Sequence, residues 1–204
     1  MKARYDLIAE QWISLRHTFP PKDLALFELF EKGLPEHGQV LDLGCGHGTP
    51  VAAFLSGKGH AITGVDRSGK LLAQARQSFP EHIWEHCELE DYQPSGSYDG
   101  VVIWDSMFHL PRNEHLILLR KVSEVLQPGG LVILSSGGLE EDLPGKAGFT
   151  DFMFDVEFFY DAFPTHVLHR HCENMGFEIV CSTLVNEPDG GRDKGRLGLL
   201  LRKC

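Results

Sequence analysis

Short apolar runs alternate with segments of helical spacing through the middle of the chain. Residues 100–104 and 131–135 are almost unbroken apolar runs, which are typical of parallel strands buried on both faces. Between the runs, apolar residues recur every three or four positions, and this spacing predicts amphipathic helices. The alternation predicts an α/β fold with a parallel sheet and right-handed crossovers. Predicted strands cover residues 40–43, 61–65, 83–87, 100–104 and 131–135, and predicted helices cover residues 49–55, 68–78 and 112–126.

The chain ahead of the first strand is predicted to be helical. Residues 4–17 and 22–32 both have helical spacing, and Pro20-Pro21 separates them. Together they form an N-terminal helical annex within residues 1–35. The apolar side of the first helix is expected to hold Leu7, Ile8, Trp12 and Leu15.

The end of the chain predicts antiparallel strands. A helix over residues 165–174 precedes two apolar segments, residues 177–185 and 196–202. The segment Glu187-Pro188-Asp189-Gly190-Gly191 between them is a hairpin signature. Residues 137–164 show neither the period of a helix nor that of a strand, and they are rich in phenylalanine. They are therefore expected to form an insert or lid.

Length and composition are those of one globular domain. The chain has 204 residues and a net charge of −10, which argues against nucleic acid or an anionic membrane as partner. Its five cysteines form no CxxC pair, so a reducing compartment is expected. No signal peptide and no run of about 18 apolar residues is found. We expect a cytoplasmic monomer or homodimer with a small-molecule partner and no bound metal.

Three glycines within five positions follow the first predicted strand. Gly44, Gly46 and Gly48 can take positive φ and admit a ligand close to the backbone. Thr49 is expected to be the N-cap of the next helix, with Pro50 as its first residue. A strand, a glycine turn and a helix start in this order predict a loop that binds a nucleotide-type ligand.

Two carboxylates narrow the choice of nucleotide. Asp66 closes the second strand, 18 residues after Gly48, where it can accept hydrogen bonds from ribose hydroxyls. Asp42 precedes the first glycine, where its charge suits a cationic ligand group better than a pyrophosphate. The spacing from Gly46 to Gly48 also differs from the dinucleotide fingerprint.

Four motifs in order resemble the class I S-adenosylmethionine-dependent methyltransferases. Residues 40–48 (VLDLGCGHG) resemble motif I of that family, and residues 64–68 (GVDRS) resemble its acidic motif. Residues 98–102 (YDGVV) and 126–130 (LQPGG) resemble its fourth strand and its turn before the fifth. The resemblance implies a Rossmann-like three-layer αβα sandwich, with a seven-stranded, mostly parallel sheet whose last strand is antiparallel.

The resemblance also implies positions for the cofactor, S-adenosyl-L-methionine. Asp42 is expected near the methionyl amine, and Asp66 at the ribose hydroxyls. Other residues implied in cofactor binding are Gly44, Cys45, Gly46, Gly48, Arg67, Ser68, Glu88, Leu89 and Trp104. In small relatives the N-terminal helix folds over the cofactor, which makes Tyr5, Trp12 and Arg16 candidates for contact. Packing in the core is the alternative interpretation of Trp12.

The segment after the fourth strand offers candidate catalytic groups. His109 is the first choice for a general base or a group that orients the acceptor, and Asp105 lies four residues earlier. Packing beside Phe108 is the alternative for His109. His166 and His169 share a helix face, but no carboxylate or cysteine completes a metal site with them.

The aromatic insert is the candidate acceptor site, and Phe152, Met153 and Tyr160 are its candidate contacts. A small core beneath the insert is the alternative. The favoured function is methyl transfer to a nitrogen or oxygen of a small, partly apolar or cationic molecule. An NAD(P)-binding oxidoreductase and a non-catalytic, cofactor-binding regulatory module are the other two hypotheses.

Overall fold

The computed structural model describes residues 3–138, 140–141, 148–187 and 195–204. A single 3-10 turn, Tyr5–Leu7, comes first. The helices are α1 (Ala9–Leu15), α2 (Pro21–Lys32), α3 (Val51–Ser56), α4 (Gly69–Ser78), α5 (Arg112–Val125) and α6 (Thr165–Asn174). The strands are β1 (Gln39–Leu43), β2 (Ala61–Asp66), β3 (Ile83–His86), β4 (Tyr98–Ile103), β5 (Leu126–Gly137), β6 (Phe149–Met153), β7 (Val156–Tyr160), β8 (Phe177–Asn186) and β9 (Arg196–Lys203).

Seven strands form one sheet in the order β3-β2-β1-β4-β5-β9-β8. β9 is antiparallel to both of its neighbours, and the other pairings are parallel. Val40, Leu41 and Leu43 of β1 are fully buried, as expected for a strand covered on both faces. The predicted α/β sandwich with one antiparallel strand is confirmed. The strand order reverses in the sheet between β1 and β4, and open α/β sheets bind their ligands at this point.

Two predicted boundaries were wrong. α3 begins at Val51, Pro50 takes the N-cap position, and Thr49 does not cap the helix. β5 begins at Leu126 rather than at residue 131, because Leu126 already pairs with Tyr98 of β4 ahead of an irregularity in the ladder. The Pro-Gly-Gly turn is therefore part of an irregular strand instead of lying before it.

The first predicted helix is broken at Ile8, between the 3-10 turn and α1. Ile8 is fully buried against Ala3 and Phe158, whereas Leu7 and Leu15 are 57% and 65% exposed. The break turns Ile8 toward the protein and Leu7 away from it. The expected apolar side with all four residues was therefore wrong.

The phenylalanine-rich insert contains a hairpin that no sequence period predicted. β6 and β7 pair with each other in a separate antiparallel sheet. Phe158 of β7 is fully buried and packs against Ile8 of the N-terminal segment. The insert thus helps to hold the N-terminal segment in place. The hairpin signature predicted at residues 188–191 lies outside the described residues.

A buried ion-pair network joins the annex to the sheet. Asp23 of α2 is 1% exposed and accepts hydrogen bonds from Nη2 of Arg196 at 2.8 and 2.6 Å. Nη1 of Arg196 donates to both carboxylate oxygens of Asp105, at 2.6 and 2.7 Å. Nε1 of Trp104 also donates to Asp23, at 3.2 Å. α2, the end of β4 and the start of β9 are therefore tied together.

We predict that Asp23→Ala lowers the free energy of unfolding by about 3 kcal/mol, because removing one partner leaves a buried charge uncompensated. Urea unfolding measures this. Lys22→Ala is the matched control, since Lys22 forms an exposed pair with Glu187 and should cost less than about 1 kcal/mol. Equal effects of the two substitutions would contradict the prediction.

Candidate functional site

Two adjoining cavities lie at the carboxyl ends of the central strands. The first, here called the cleft, runs along the glycine loop between β1 and α3 and across the ends of β2 and β4. The second, here called the side cavity, lies under the β6–β7 hairpin. Residues that line both are Tyr5, Trp12, Arg16, Asp105 and His109.

The glycine loop forms one wall of the cleft, and its glycines are required for different reasons. Gly44 has a φ of +86°, and a Cβ there would lie 2.2 Å from Cβ of Ser106. Gly46 has a φ of +57°, and its nearest side-chain neighbours are 3.8 Å from the Cβ position, which leaves the backbone open to a ligand. Gly48 does not line the cleft, because it packs against the Phe79 ring.

Asp66 is fixed at the centre of the cleft by backbone amides. Its Oδ2 accepts from the Gly46 amide at 2.8 Å and its Oδ1 accepts from the Ser68 amide at 2.7 Å. Burial raises the pKa of Asp66, and these two hydrogen bonds oppose the shift. Ser68 is absent from the cleft wall and instead caps α4, accepting from the Leu71 amide at 3.2 Å. The expected place of Ser68 beside the adenine stays a prediction.

Asp42 lies in the cleft wall with an unsatisfied carboxylate oxygen. The residue is 2% exposed, and its Oδ2 has no hydrogen-bond partner among the described residues. Burial, assisted by the charge of Asp66, raises the pKa of Asp42 to about 8. A buried acceptor of this kind fits a ligand that supplies a donor, and a cationic amine supplies the charge as well. The orphaned oxygen agrees with the position implied for the methionyl amine.

An ion pair closes the end of the cleft beyond β3. Arg67 and Leu89 line the cleft, and Nη2 of Arg67 donates to the carboxylates of Glu88 and Glu90. Glu88 itself does not line the cleft, because its carboxylate is turned to Arg67, and Glu90 takes the wall position. Sequence analysis did not single out Glu90, and the expected contact of Glu88 with the cofactor stays a prediction.

Other residues that were predicted to bind the cofactor line the cleft. Cys45 and Trp104 are buried and line the cleft. Trp12 also lines it and packs edge-on against Tyr5, with ring centroids 5.1 Å apart. Trp12 is therefore a partly buried wall residue that also packs against the small cluster of Ala3, Ile8 and Phe158.

The N-terminal segment closes over the cleft through polar contacts. Asp6 accepts from Oγ of Ser68 at 2.6 Å and from the Lys70 amide at 3.1 Å. Nη2 of Arg16 donates to Asp105 at 2.5 Å, and the Arg16 guanidinium lies 5.0 Å from the Trp12 ring centroid. These contacts place Tyr5, Trp12 and Arg16 between the cleft and the side cavity.

Both ring nitrogens of His109 are engaged by the protein. Nδ1 lies 2.9 Å from the carbonyl oxygen of Phe159, which can only accept, so Nδ1 carries the hydrogen. Nε2 lies 2.8 Å from the Tyr5 hydroxyl and therefore accepts from it. Burial lowers the pKa of His109 to about 4, despite the Phe159 bond and the nearby charge of Asp105. The ring is neutral at pH 7.

Asp105 is held by two arginines instead of facing His109. It takes a φ of +52° at the end of β4, and its Oδ1 also accepts from the Ser135 hydroxyl at 3.0 Å. Burial raises the pKa of Asp105, but the charges of Arg196 and Arg16 outweigh this and hold the pKa below its ordinary value. A carboxylate so engaged is a poor proton acceptor.

The side cavity has a volume of about 550 Å³ and a mixed lining. Met153 and Tyr160 line it, as predicted. Phe152 does not and is 60% exposed, because strand alternation turns it to the opposite face from Met153. The lining residues that sequence analysis missed include Phe108, Arg112, Phe149, Asp151, Asp161 and Arg196. Their spacing along the chain gives no signal that they meet.

The candidate histidine cluster does not assemble. His169 contacts the Ser182 hydroxyl at 3.0 Å, and the His171 ring packs on Phe163. Among the described residues, no three His, Cys, Asp or Glu side chains are placed to hold a metal ion.

The fold and the cleft together define a class of protein, an α/β sandwich that binds a nucleoside-type ligand at the sheet's switch point. Comparisons agree with this class. A methyltransferase-domain family profile matches residues 40–130. Trans-aconitate 2-methyltransferase of Azoarcus sp. is 32% identical over 102 residues, which are 50% of this chain and 40% of the relative.

Two solved structures share the fold over almost their whole length. A S-adenosylmethionine-dependent methyltransferase from Methanosarcina mazei has a TM-score of 0.72 at 19% identity, covering 92% of this chain and 98% of the other. The 1,6-didemethyltoxoflavin-N1-methyltransferase of Burkholderia thailandensis, solved with its substrate and S-adenosylhomocysteine, has a TM-score of 0.69 at 20% identity, covering 100% and 91%.

The chain is thus similar to S-adenosylmethionine-dependent methyltransferases in its fold, and the matched segment, residues 40–130, contains the glycine loop and Asp66 of the cleft. It spans 40 to 57% of the length of the first curated relatives that it matches. No helix within the described ranges is both long enough and apolar enough to cross a membrane.

We predict a pH-dependent stability that Asp42 causes. Because its folded-state pKa of about 8 lies above an unfolded value of about 4, the folded state binds the extra proton. Stability is therefore full below about pH 4 and is lost as the pH rises toward about 8. Urea unfolding without ligand should show this fall, and Asp42→Asn should make it shallower. Asp91→Asn, at an exposed position, should leave the slope unchanged; a wild-type slope in Asp42→Asn would contradict the assignment.

Proposed function

We propose that this protein transfers a methyl group from S-adenosyl-L-methionine to a nitrogen or oxygen of a small molecule held in the side cavity. The observation that carries the proposal is the shared boundary of the two cavities at Tyr5, Trp12, Arg16, Asp105 and His109. A donor in the cleft and an acceptor in the side cavity would meet there, which supplies the alignment that methyl transfer needs.

The cleft residues fit the donor at three points. Asp42 would pair with the methionyl ammonium, Asp66 would accept from the ribose hydroxyls, and Gly46 leaves the backbone open between them. Leu89 and Arg67 would flank the adenine. When bound, the sulfonium supplies an activated methyl group that needs no further activation by the protein.

The boundary residues would position the acceptor and exclude water. His109 is a fixed hydrogen-bond partner of Tyr5, so we assign it an orienting role instead of that of a general base. The N-terminal segment covers the boundary and would shield the reacting atoms from solvent. Tyr160 and Met153 would contact the acceptor from the hairpin.

The side cavity favours an enzyme over a regulatory module that only binds the cofactor, because such a module needs no second cavity at the cleft. The buried Oδ2 of Asp42, which has no hydrogen-bond partner among the described residues, favours a cationic ligand over the pyrophosphate of NAD(P). The names of the relatives give chemically diverse substrates, so they do not identify the acceptor of this protein.

The setting that we propose follows from composition. The described cysteines are all free, which suits a reducing compartment such as the cytoplasm. The net charge of −10 makes nucleic acid an unfavourable partner. A monomer or homodimer is part of this proposal.

Calorimetric titration tests the donor. We predict that S-adenosylhomocysteine binds and NADH does not, and that Asp42→Asn weakens S-adenosylhomocysteine binding about tenfold or more by removing a charged hydrogen bond. Asp91→Asn should bind like the wild type, since its side chain is exposed away from the cleft.

Binding of NADH without S-adenosylhomocysteine would refute the proposal. Methyl-labelled cofactor incubated with a panel of acids, amines and phenols separates the enzyme from the regulatory module. Transfer to any of them supports the enzyme, and S-adenosylhomocysteine binding without transfer favours the module.

A further inference from the structure

We infer that the methyl acceptor is a small, partly apolar carboxylic acid, and that the methyl group goes to an oxygen of its carboxylate. This inference rests on the proposed function and names the acceptor that the side cavity fits. Three observations carry it: the arginines that line the cavity, the state of every candidate base at the boundary, and the aromatic walls.

Arg16 is the group placed to hold an acceptor carboxylate. It lies at the boundary of the two cavities, and its side chain is 28% exposed. Within the described residues, its only side-chain hydrogen bond runs from Nη2 to Asp105. A guanidinium has five N–H donors in a rigid fork that matches a carboxylate, so most of the fork is left for a ligand.

The position of Arg16 is fixed before any ligand binds. Asp105 anchors one nitrogen, and the guanidinium lies over the Trp12 ring at 5.0 Å. Holding the side chain in this way reduces the entropy that ligand binding would otherwise cost. Asp105 and Asp23 together carry two negative charges against the two positive charges of Arg16 and Arg196, so Arg16 offers unused N–H donors rather than an excess charge.

Most of the other charged side chains around the side cavity are paired with one another. Arg112 binds Asp161 through Nε at 2.9 Å and through Nη2 at 2.8 Å, so this pair is neutral overall. Arg196 compensates Asp23 and Asp105 together with Arg16. Asp151 is a further lining carboxylate, on β6. The cavity thus offers arginine donors in a chain whose net charge is −10.

Among the described residues at the boundary, none is a free base that could remove a proton from an acceptor. Nε2 of His109 accepts from Tyr5 and Nδ1 donates to Phe159. Asp105 accepts from Arg16, Arg196 and Ser135. Hydroxyls and ammonium groups carry their proton at neutral pH and would need such a base. A carboxylate is already ionised at pH 7, so it needs none.

The step balances without a proton acceptor. A lone pair of the carboxylate oxygen forms the new carbon–oxygen bond as the carbon–sulfur bond breaks, and that electron pair stays on sulfur. A cation and an anion become a neutral thioether and a neutral ester. Charge is neutralised in a site shielded from water, where opposite charges interact most strongly.

The walls of the side cavity suit an apolar body on this acid. Tyr160 stacks on Phe108 and on Phe149, with ring centroids 5.9 and 5.5 Å apart. Met153 lies on the same hairpin and lines the same cavity. A volume of about 550 Å³ admits a small planar or branched acid but not a polymer.

Binding tests the recognition of the carboxylate. With the protein saturated with S-adenosylhomocysteine, trans-cinnamate, cinnamamide and cinnamylamine are titrated by calorimetry. We predict that the acid binds at least tenfold more tightly than the amide, and that Arg16→Gln abolishes this preference. Arg16→Lys should keep part of it, and Arg120→Gln, an exposed arginine of α5, should keep all of it. Urea unfolding, which does not depend on ligand contacts, checks that each variant is folded.

Equal affinity for acid and amide, tighter binding of the amine, or no binding of the acid overturns the inference. So does an acid preference that survives Arg16→Gln. All of these results leave the donor-binding test of the proposed function untouched.

The stability of the product tests the reaction. Methyl esters release methanol in alkali, whereas N-methyl groups and ethers do not. We predict that label transferred to acids of the panel becomes volatile at about pH 11 and is negligible on the matched amines and phenols. Transfer of label into alkali-stable products would overturn the carboxylate assignment while keeping the methyltransferase. Absence of S-adenosylhomocysteine binding would instead remove the proposed function itself.

Discussion

The buried carboxylate of Asp105 is the interaction on which the structure most depends. It lies at the end of β4 in a left-handed backbone conformation and pairs with Arg16 and Arg196. Arg196 carries the network on to Asp23 of α2. One charge cluster therefore joins the N-terminal segment, α2, the central strand and the last strand. Because ion pairs this buried stabilise only when complete, the fold and the boundary of the two cavities depend on the same side chains.

Two buried aspartates at neighbouring strand ends have pKa values that are shifted in opposite directions. Asp105 is neutralised by arginines, and its pKa is held low. Asp42 has no cation near it, and its pKa is raised to about 8. Leaving a buried carboxylate without a partner costs free energy that folding alone cannot justify. The cost is consistent with a site built for a ligand that brings the missing charge, and perturbed groups of this kind concentrate at functional sites.

The sequence predicted the sheet because its signals are local. A buried strand is a run of apolar residues, as in β1, and a glycine turn is read within a few positions, as at Gly44 and Gly46. The same reasoning failed where tertiary pairing decides the outcome. β5 begins at Leu126 because Tyr98 pairs with it. Ser68 lies outside the cleft wall, where it binds Asp6 and caps α4. Local spacing does not predict that Tyr98 pairs with Leu126 or that Asp6 binds Ser68.

The charge of the acceptor site shows the same limit most clearly. The apolar insert and the net charge of −10 suggested a partly apolar or cationic acceptor, yet long-range steering by total charge says nothing about a single buried pocket. Arg196 and Asp23 are 173 positions apart, and Arg16 and Asp105 are 89 apart, so their pairing exists only in the folded chain. Once paired, Asp105 is removed as a base, and Arg16 is fixed as a donor. The contact between Arg16 and Asp105, which no sequence period predicts, therefore determines which acceptor the site can hold. It also removes Asp105 as a base for acceptors that must lose a proton.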